Sequence, residues 1–295
     1  MPVSENLRGV LWMCVAMAAF TINDTFMKSV TASLPLYQTI GLRGTIAVAG
    51  LVVLVILGGA WRARLSRRDG WLILIRSLAD VAATLLFLEA LQRMALANLS
   101  AILQALPLLI TLGAALVYRD RIGWRRLTAI AVGLVGVLFI IRPGTEGFDR
   151  SALLGVASVV CVVVRDLAVR PIQGQVPSTL VALGAAVGVT AMGWIGAAIA
   201  GIEPVSRPEA AQVLAAGLFL TVGYLAAVMA MRHGDIGLVA PFRYTSLLWA
   251  IGLGLVVFGD LPDGWTLLGA AIVVAAGLFT LWRERRLRRL AAHFD

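Results

Sequence analysis

The sequence predicts an all-α fold: a polytopic membrane protein with ten transmembrane helices in two inverted five-helix repeats. Three observations carry this prediction. The composition is too apolar for a soluble domain, ten long apolar runs divide the chain, and its two halves align with each other at an offset of about 140 residues.

Of 295 residues, 60% are hydrophobic and 14% charged, and the mean hydropathy is +0.92. A soluble domain of this length has too small an interior to hide that much apolar surface, so lipid must solvate the outside. The formal net charge of +9 does not imply a nucleic-acid partner, because the basic residues fall in short clusters between apolar runs and form no single basic face. Cys14 and Cys161 sit inside apolar runs. Two isolated cysteines make neither a disulfide framework nor a metal site and read as small hydrophobes.

Crossing a hydrocarbon core ~30 Å thick takes roughly 20 mainly apolar helical residues. Runs of this kind cover 9–29, 36–59, 71–92, 97–118, 125–142, 151–169, 178–200, 210–231, 238–259 and 265–282. The first has only Arg8 before it, and Asn23, Asp24 and Lys28 stand where a signal peptide would have a small-residue cleavage site, so it reads as a span. The sixth is the weakest, because its clean run 152–164 meets Arg165 and Asp166. The unbroken series Leu51, Val52, Val53, Leu54, Val55, Ile56, Leu57 lacks the alternation of a barrel strand.

The distribution of Lys and Arg sets the orientation. Seventeen lie on the side of the N-terminus, in clusters such as Arg62, Arg64, Arg67 and Arg68. Five lie on the other side, namely Lys28, Arg93, Arg142, Arg150 and Arg207, and Arg43, Arg76 and Arg243 fall within spans. Both termini are therefore expected in the cytoplasm, with the tail that carries Arg283, Arg285, Arg286, Arg288 and Arg289 anchored at anionic headgroups.

The repeat appears when Leu91-Gln-Arg-Met-Ala-Leu-Ala-Asn98 is laid over Met231-Arg-His-Gly-Asp-Ile-Gly-Leu238, which puts Asp120 over Asp260. One residue further, Trp124 meets Trp265 and Gly136 meets Gly277, while at the front of each half Asp24 falls over Asp166 and Lys28 over Arg170. The units implied are 1–145 and 146–295. Five is odd, so the second must cross the membrane in the opposite sense, giving an inverted repeat of the kind secondary transporters use.

The stretch from Ala105-Leu-Pro107 through Tyr118-Arg-Asp-Arg-Ile-Gly123 to Gly133-Leu-Val-Gly136 and Ile141-Arg-Pro143 resembles the EamA repeat of the drug/metabolite transporter superfamily. A second copy around Gly259-Asp-Leu-Pro-Asp-Gly264 and 269–277 is similar, although Asp120 and Asp260 stand where that family usually has glutamate. The opening Met17-Ala-Ala-Phe-Thr-Ile-Asn-Asp-Thr-Phe-Met-Lys28, with Leu34-Pro-Leu-Tyr37 and Leu42-Arg43-Gly44, resembles bacterial riboflavin importers of the same superfamily. The resemblance implies a bacterial inner-membrane transporter, with riboflavin uptake as one expectation.

Ionisable groups inside spans are costly and are the default functional candidates. Asp80, near the middle of the third span, has Arg76 one turn before it; the pair reads as a structural ion pair or as a substrate or proton site. Asn23 with Asp24, and Arg165 with Asp166, read either as interfacial charges or as counterparts at two ends of one pathway. Arg243 and Tyr244 align with Leu103 and Gln104, in spans that also carry Pro241 and Pro107, so these are expected as broken helices around a polar site, with Trp249 as a stacking surface. Arg43 and Glu89, near span ends, read as structural. The cavity is expected from the first, third, fourth, sixth, eighth and ninth spans. The small-residue stripes, Gly133 with Gly136 and Gly269 with Ala270, Ala276 and Gly277, read as close helix packing.

Catalytic patterns are missing: no G-x-S-x-G, H-E-x-x-H, Walker A loop or C-x-x-C occurs, and the two histidines, His233 and His293, lie outside the spans. No cofactor or metal is expected. The expectation is a secondary transporter of a small organic metabolite, such as a vitamin or an amino acid, working by alternating access, with substrate and lipid bilayer as its partners. An intramembrane enzyme or a membrane scaffold is the rival reading.

Overall fold

The computed structural model describes residues 3–63, 66–119, 123–143, 150–170, 176–233 and 236–291. Arg64, Asp120, Arg121 and His293 lie outside them. Every regular element among these residues is helical, and ten spans are long and apolar enough to cross a membrane. They are α1 (Val3–Val30), α2 (Leu36–Leu57), α3 (Arg67–Arg93), the pair α4 (Leu96–Leu103) and α5 (Leu106–Tyr118), α6 (Trp124–Ile141), α7 (Ser151–Val169), α8 (Ser178–Ala200), α9 (Arg207–His233), the ninth span that includes α11 (Thr245–Leu253), and α12 (Gly264–Ala291). The short α10 (Ile236–Val239) leads into that ninth span. The sixth span runs unbroken through Arg165 and Asp166 as α7.

The helix starts follow from the sequence. Pro35 and Pro177 stand as N-caps of α2 and α8, where a missing N–H costs nothing because the first turn's donors are orphans anyway. Ser66 caps α3 in a reciprocal box with Asp69: Asp69 N–H donates to the Ser66 hydroxyl at 3.1 Å and Ser66 N–H to the Asp69 carboxylate at 3.1 Å. The same device opens α9, where Ser206 N–H donates to Glu209 at 2.8 Å.

The two proline-bearing spans are irregular, as expected. At the end of α4 the backbone tightens, with Gln104 N–H bonded to Ala101 O and Ala105 N–H to Ile102 O, before Pro107 in the first turn of α5. Proline cannot donate to the ladder, and its ring crowds the carbonyl four residues back, so the helix restarts here. The ninth span opens as a 3₁₀ segment, Ala240–Tyr244, containing Pro241, continues as α11 and ends in a π-helical turn, Gly254–Phe258, closed by Gly259 at φ 71°. A positive φ of this kind suits glycine, which has no Cβ to clash.

The packing pairs α1 with α9, α2 with α8, α3 with α7 and α6 with α12. Where α6 crosses α12 the backbones touch: a methyl group added to Gly136 would sit 2.8 Å from Gly269 O. Small residues at such a crossing let dispersion contacts form between the backbones themselves. The outward faces carry exposed apolar side chains, among them Leu57, Leu116, Ile199 and Val256. Trp71, Trp265 and Trp282 are exposed too, as residues of an interfacial belt would be.

Candidate functional site

The helices enclose a cavity of about 580 Å³. Eight of the ten residues expected at a substrate pathway line it: Asn23, Asp24, Arg76, Asp80, Gln104, Arg165, Arg243 and Tyr244. Every span except the fifth contributes to the lining, so the second, seventh and tenth add to the six expected.

Asp80 does not pair with Arg76. Arg165, arriving from α7, donates Nη1–H to Asp80 Oδ1 at 2.8 Å and Nε–H to Asp166 Oδ1 at 2.9 Å. One guanidinium thus bridges two carboxylates, the geometry its planar fork of donors favours. Arg76 instead donates Nη1–H to Val181 O on α8 at 3.2 Å. The i,i+4 spacing permits the Arg76–Asp80 pair, but the packing of α3 along α7 brings a better-placed cation. Asp166 stands behind Arg165 and does not itself line the cavity.

Asn23 donates Nδ2–H to Asp24 Oδ1 at 2.8 Å and accepts from Arg43 Nη1 at 3.4 Å. Arg43 is 6% exposed and lines the cavity. Sequence position alone suggested a snorkelling arginine; the helix face it occupies turns it inward. Lys28 is not part of this group, since its ammonium is fixed by Leu91 O at 2.9 Å and Met94 O at 2.7 Å. Glu89 pairs with Arg93 at 2.7 Å, the local role expected of it.

Gln104, at the break between α4 and α5, donates to the Ser246 hydroxyl on α11 at 2.9 Å, and Ser246 in turn donates to Arg243 O at 3.0 Å. The two irregular spans therefore meet through polar side chains at the cavity. The Tyr244 hydroxyl is buried without a hydrogen-bond partner among the described residues, and the hydroxyl end of its ring lies against Gly277, where any side chain would overlap it. Trp249 is 44% exposed on the outer surface of α11 and does not line the cavity, which removes it as a stacking surface. Phe20 and Tyr224 supply aromatic wall instead, edge to face with centroids 5.6 Å apart. Neither stood out in the sequence, where aromatic residues are scattered through every apolar run.

A bundle of ten apolar spans around a charged cavity defines an integral membrane protein with a solute-sized polar chamber. Comparison with known proteins shows what the chain is similar to: residues 7–142 match the EamA-like transporter family. Over 98% of this chain and 96% of its own length, a riboflavin transporter of Rhizobium johnstonii is 26% identical. A riboflavin transporter of Vibrio cholerae is 27% identical over 96% of each chain, and a pseudopaline exporter of Pseudomonas aeruginosa is 24% identical over 91% of this chain and 94% of its own. A solved crystal structure superposes with a TM-score of 0.65 on 96% of this chain and 99% of its own at 20% identity, which shows a shared fold. The family match thus lies in the first half of the chain, and relatives similar over nearly its whole length are named as transporters.

Proposed function

We propose that the protein is a secondary transporter that carries one small amphipathic organic metabolite at a time through this cavity by alternating access. The observation that carries the reading is the origin of the cavity's polar groups. Asn23, Asp24, Arg43, Arg76, Asp80 and Gln104 come from the first five spans, and Arg165, Arg243, Tyr244 and Ser246 from the last five. Desolvated charges supplied from both sides of one seam are costly, and a solute pathway along that seam accounts for them.

In this reading 1–145 and 146–295 are two inverted halves that rock against each other. Several features support it. The N-cap prolines fall at the second and seventh spans, and the Ser-x-x-acid boxes at the third and eighth. The packing of α1 on α9 has its counterpart in that of α7 on α3 when the halves are exchanged. Both termini then face the cytoplasm of a bacterial inner membrane; a cysteine placed at either end would react only with a membrane-permeant thiol reagent in intact cells.

Riboflavin is the first substrate to test, because two similar proteins are named for it. The similarity to an exporter supports the opposite direction of transport for the same cavity. The purified protein in liposomes preloaded with riboflavin is expected to exchange it for labelled riboflavin outside. Exchange of no member of a vitamin and amino-acid panel would overturn the transporter reading of this cavity.

A further inference from the structure

We propose that this cavity selects an organic anion: a solute with one carboxylate or phosphate group on a flat apolar body. The inference rests on the cavity being the transport site, and it names the substrate class.

Four guanidiniums, those of Arg43, Arg76, Arg165 and Arg243, line the chamber. Counting Asp166 behind Arg165, three carboxylates face them, so the formal balance is one positive charge. The direct contacts make the imbalance sharper. Arg165 takes both Asp80 and Asp166. Among the described residues the guanidinium of Arg43 hydrogen-bonds only to the amide oxygen of Asn23 and that of Arg76 only to the backbone carbonyl of Val181, and the Nε of each is buried without a hydrogen-bond partner there. Arg243 makes no hydrogen bond or ion pair among the described residues, although it stands at the break in the ninth span where the backbone is 3₁₀.

Arginine stays protonated even when buried, so these groups do not relieve the cost by losing a proton. Water can solvate them while the chamber is open, but closing it around a neutral solute leaves guanidiniums with unmet donors in a low-dielectric space. An anionic group supplies acceptors for Arg76, Arg43 and Arg243 and cancels the residual charge. The rest of the wall mixes hydroxyl side chains such as Thr21, Thr84 and Ser158 with the aromatic rings of Phe20, Phe87 and Tyr224, and those rings suit a planar body better than a free inorganic ion.

The test uses pairs of a neutral and an anionic form of one ring system: riboflavin with its 5′-phosphate, nicotinamide with nicotinate, and the methyl ester of an N-acetylated aromatic amino acid with the corresponding free acid. Thermal stabilisation of the full-length protein in detergent is expected to favour the anion of at least one pair about tenfold in apparent affinity, the order of one charge-assisted contact. Arg243→Gln is expected to bring that pair close to parity, while Arg243→Lys keeps part of the preference; the wild-type pairs decide the matter if the variants do not fold. Equal stabilisation within every pair, preference for the neutral members, or no stabilisation by any anion would overturn the proposal. Liposome exchange of the same compounds separates the two readings. Anion-selective binding without exchange sinks the transporter reading alone, and exchange of neutral members only sinks this one.

Discussion

Asp80 on α3 is held by Arg165 on α7, 2.8 Å away, and not by Arg76 one turn before it on its own helix. Since Arg165 also holds Asp166, the charges of α3 and α7 form one bridged unit, and Arg76 is released to tie α3 to α8. The Asp80 side chain is 9% exposed and that of Arg165 25%, so the contact is largely out of solvent. Its structural weight follows from that burial, since an ion stranded there has no water to replace its partner.

Removing Arg165 is expected to be worse than removing Asp80. Arg165→Gln strands two carboxylates, whereas Asp80→Asn leaves Arg165 with Asp166. Breaking a buried pair from one side costs on the order of 3–5 kcal/mol. Thermal melting in detergent should show the larger loss for Arg165→Gln, and the double variant with Asp80→Asn should recover part of it. Equal melting of the two single variants would mean that the bridge does not hold α3 to α7.

The crossing of α6 and α12 gives a prediction about packing. A side chain at Gly136 would press on Gly269 O and on Ile272 and Val273. Overpacking of this kind costs about 1–3 kcal/mol. Gly136→Val is therefore expected to lower the melting temperature clearly, while Gly252→Ala, which meets nothing within 4 Å, should leave it nearly unchanged. Similar melting of both would contradict a tight crossing.

Asp263 links the same two helices outside the membrane. It caps α12 by accepting from Thr266 N–H at 2.8 Å, and it pairs with Arg142, the residue that ends α6. Partial burial pushes its carboxyl up, but the Arg142 guanidinium and the Thr266 bonds outweigh this and hold it below its ordinary 3.8. A depressed folded value stabilises the protein above the ordinary value and is lost as pH falls through the folded one. Melting followed from pH 7 downward should therefore show a shallower acid decline in Asp263→Asn than in the wild type. The effect should be small, because the Asp263 side chain is 50% exposed.

How much of this was legible depended on whether the cause was local. The ten spans were readable because each needs its own apolar length, and Pro107 and Pro241 announced their irregular helices because proline breaks the ladder wherever it stands. The site's charges were visible because a charge inside an apolar run is conspicuous. Their partners were not, since the partner of Asp80 depends on which helix packs beside α3. Arg43 and Trp249 were misjudged for a related reason. Distance from a helix end does not say which face a side chain occupies, and that face turns Arg43 inward and Trp249 outward.

Asp24 is the carboxylate best suited to couple transport to protons. Asp80 and Asp166 both touch Arg165, so protonating either would break an ion pair, whereas the direct contact of Asp24 is the neutral amide of Asn23 at 2.8 Å. It also faces the cavity, where a solute and a proton can exchange their effects. Gaining a proton there changes the charge of the chamber without dismantling the α3–α7 bridge. In liposomes with an imposed pH gradient, Asp24→Asn is expected to abolish gradient-driven accumulation while leaving exchange at equal pH within about threefold of the wild type. Asp166→Asn should keep its response to the gradient. If Asp24→Asn still accumulates substrate, another group carries the proton and Asp24 has no part in coupling; if the wild type ignores the gradient, the flux is driven by the substrate's own gradient.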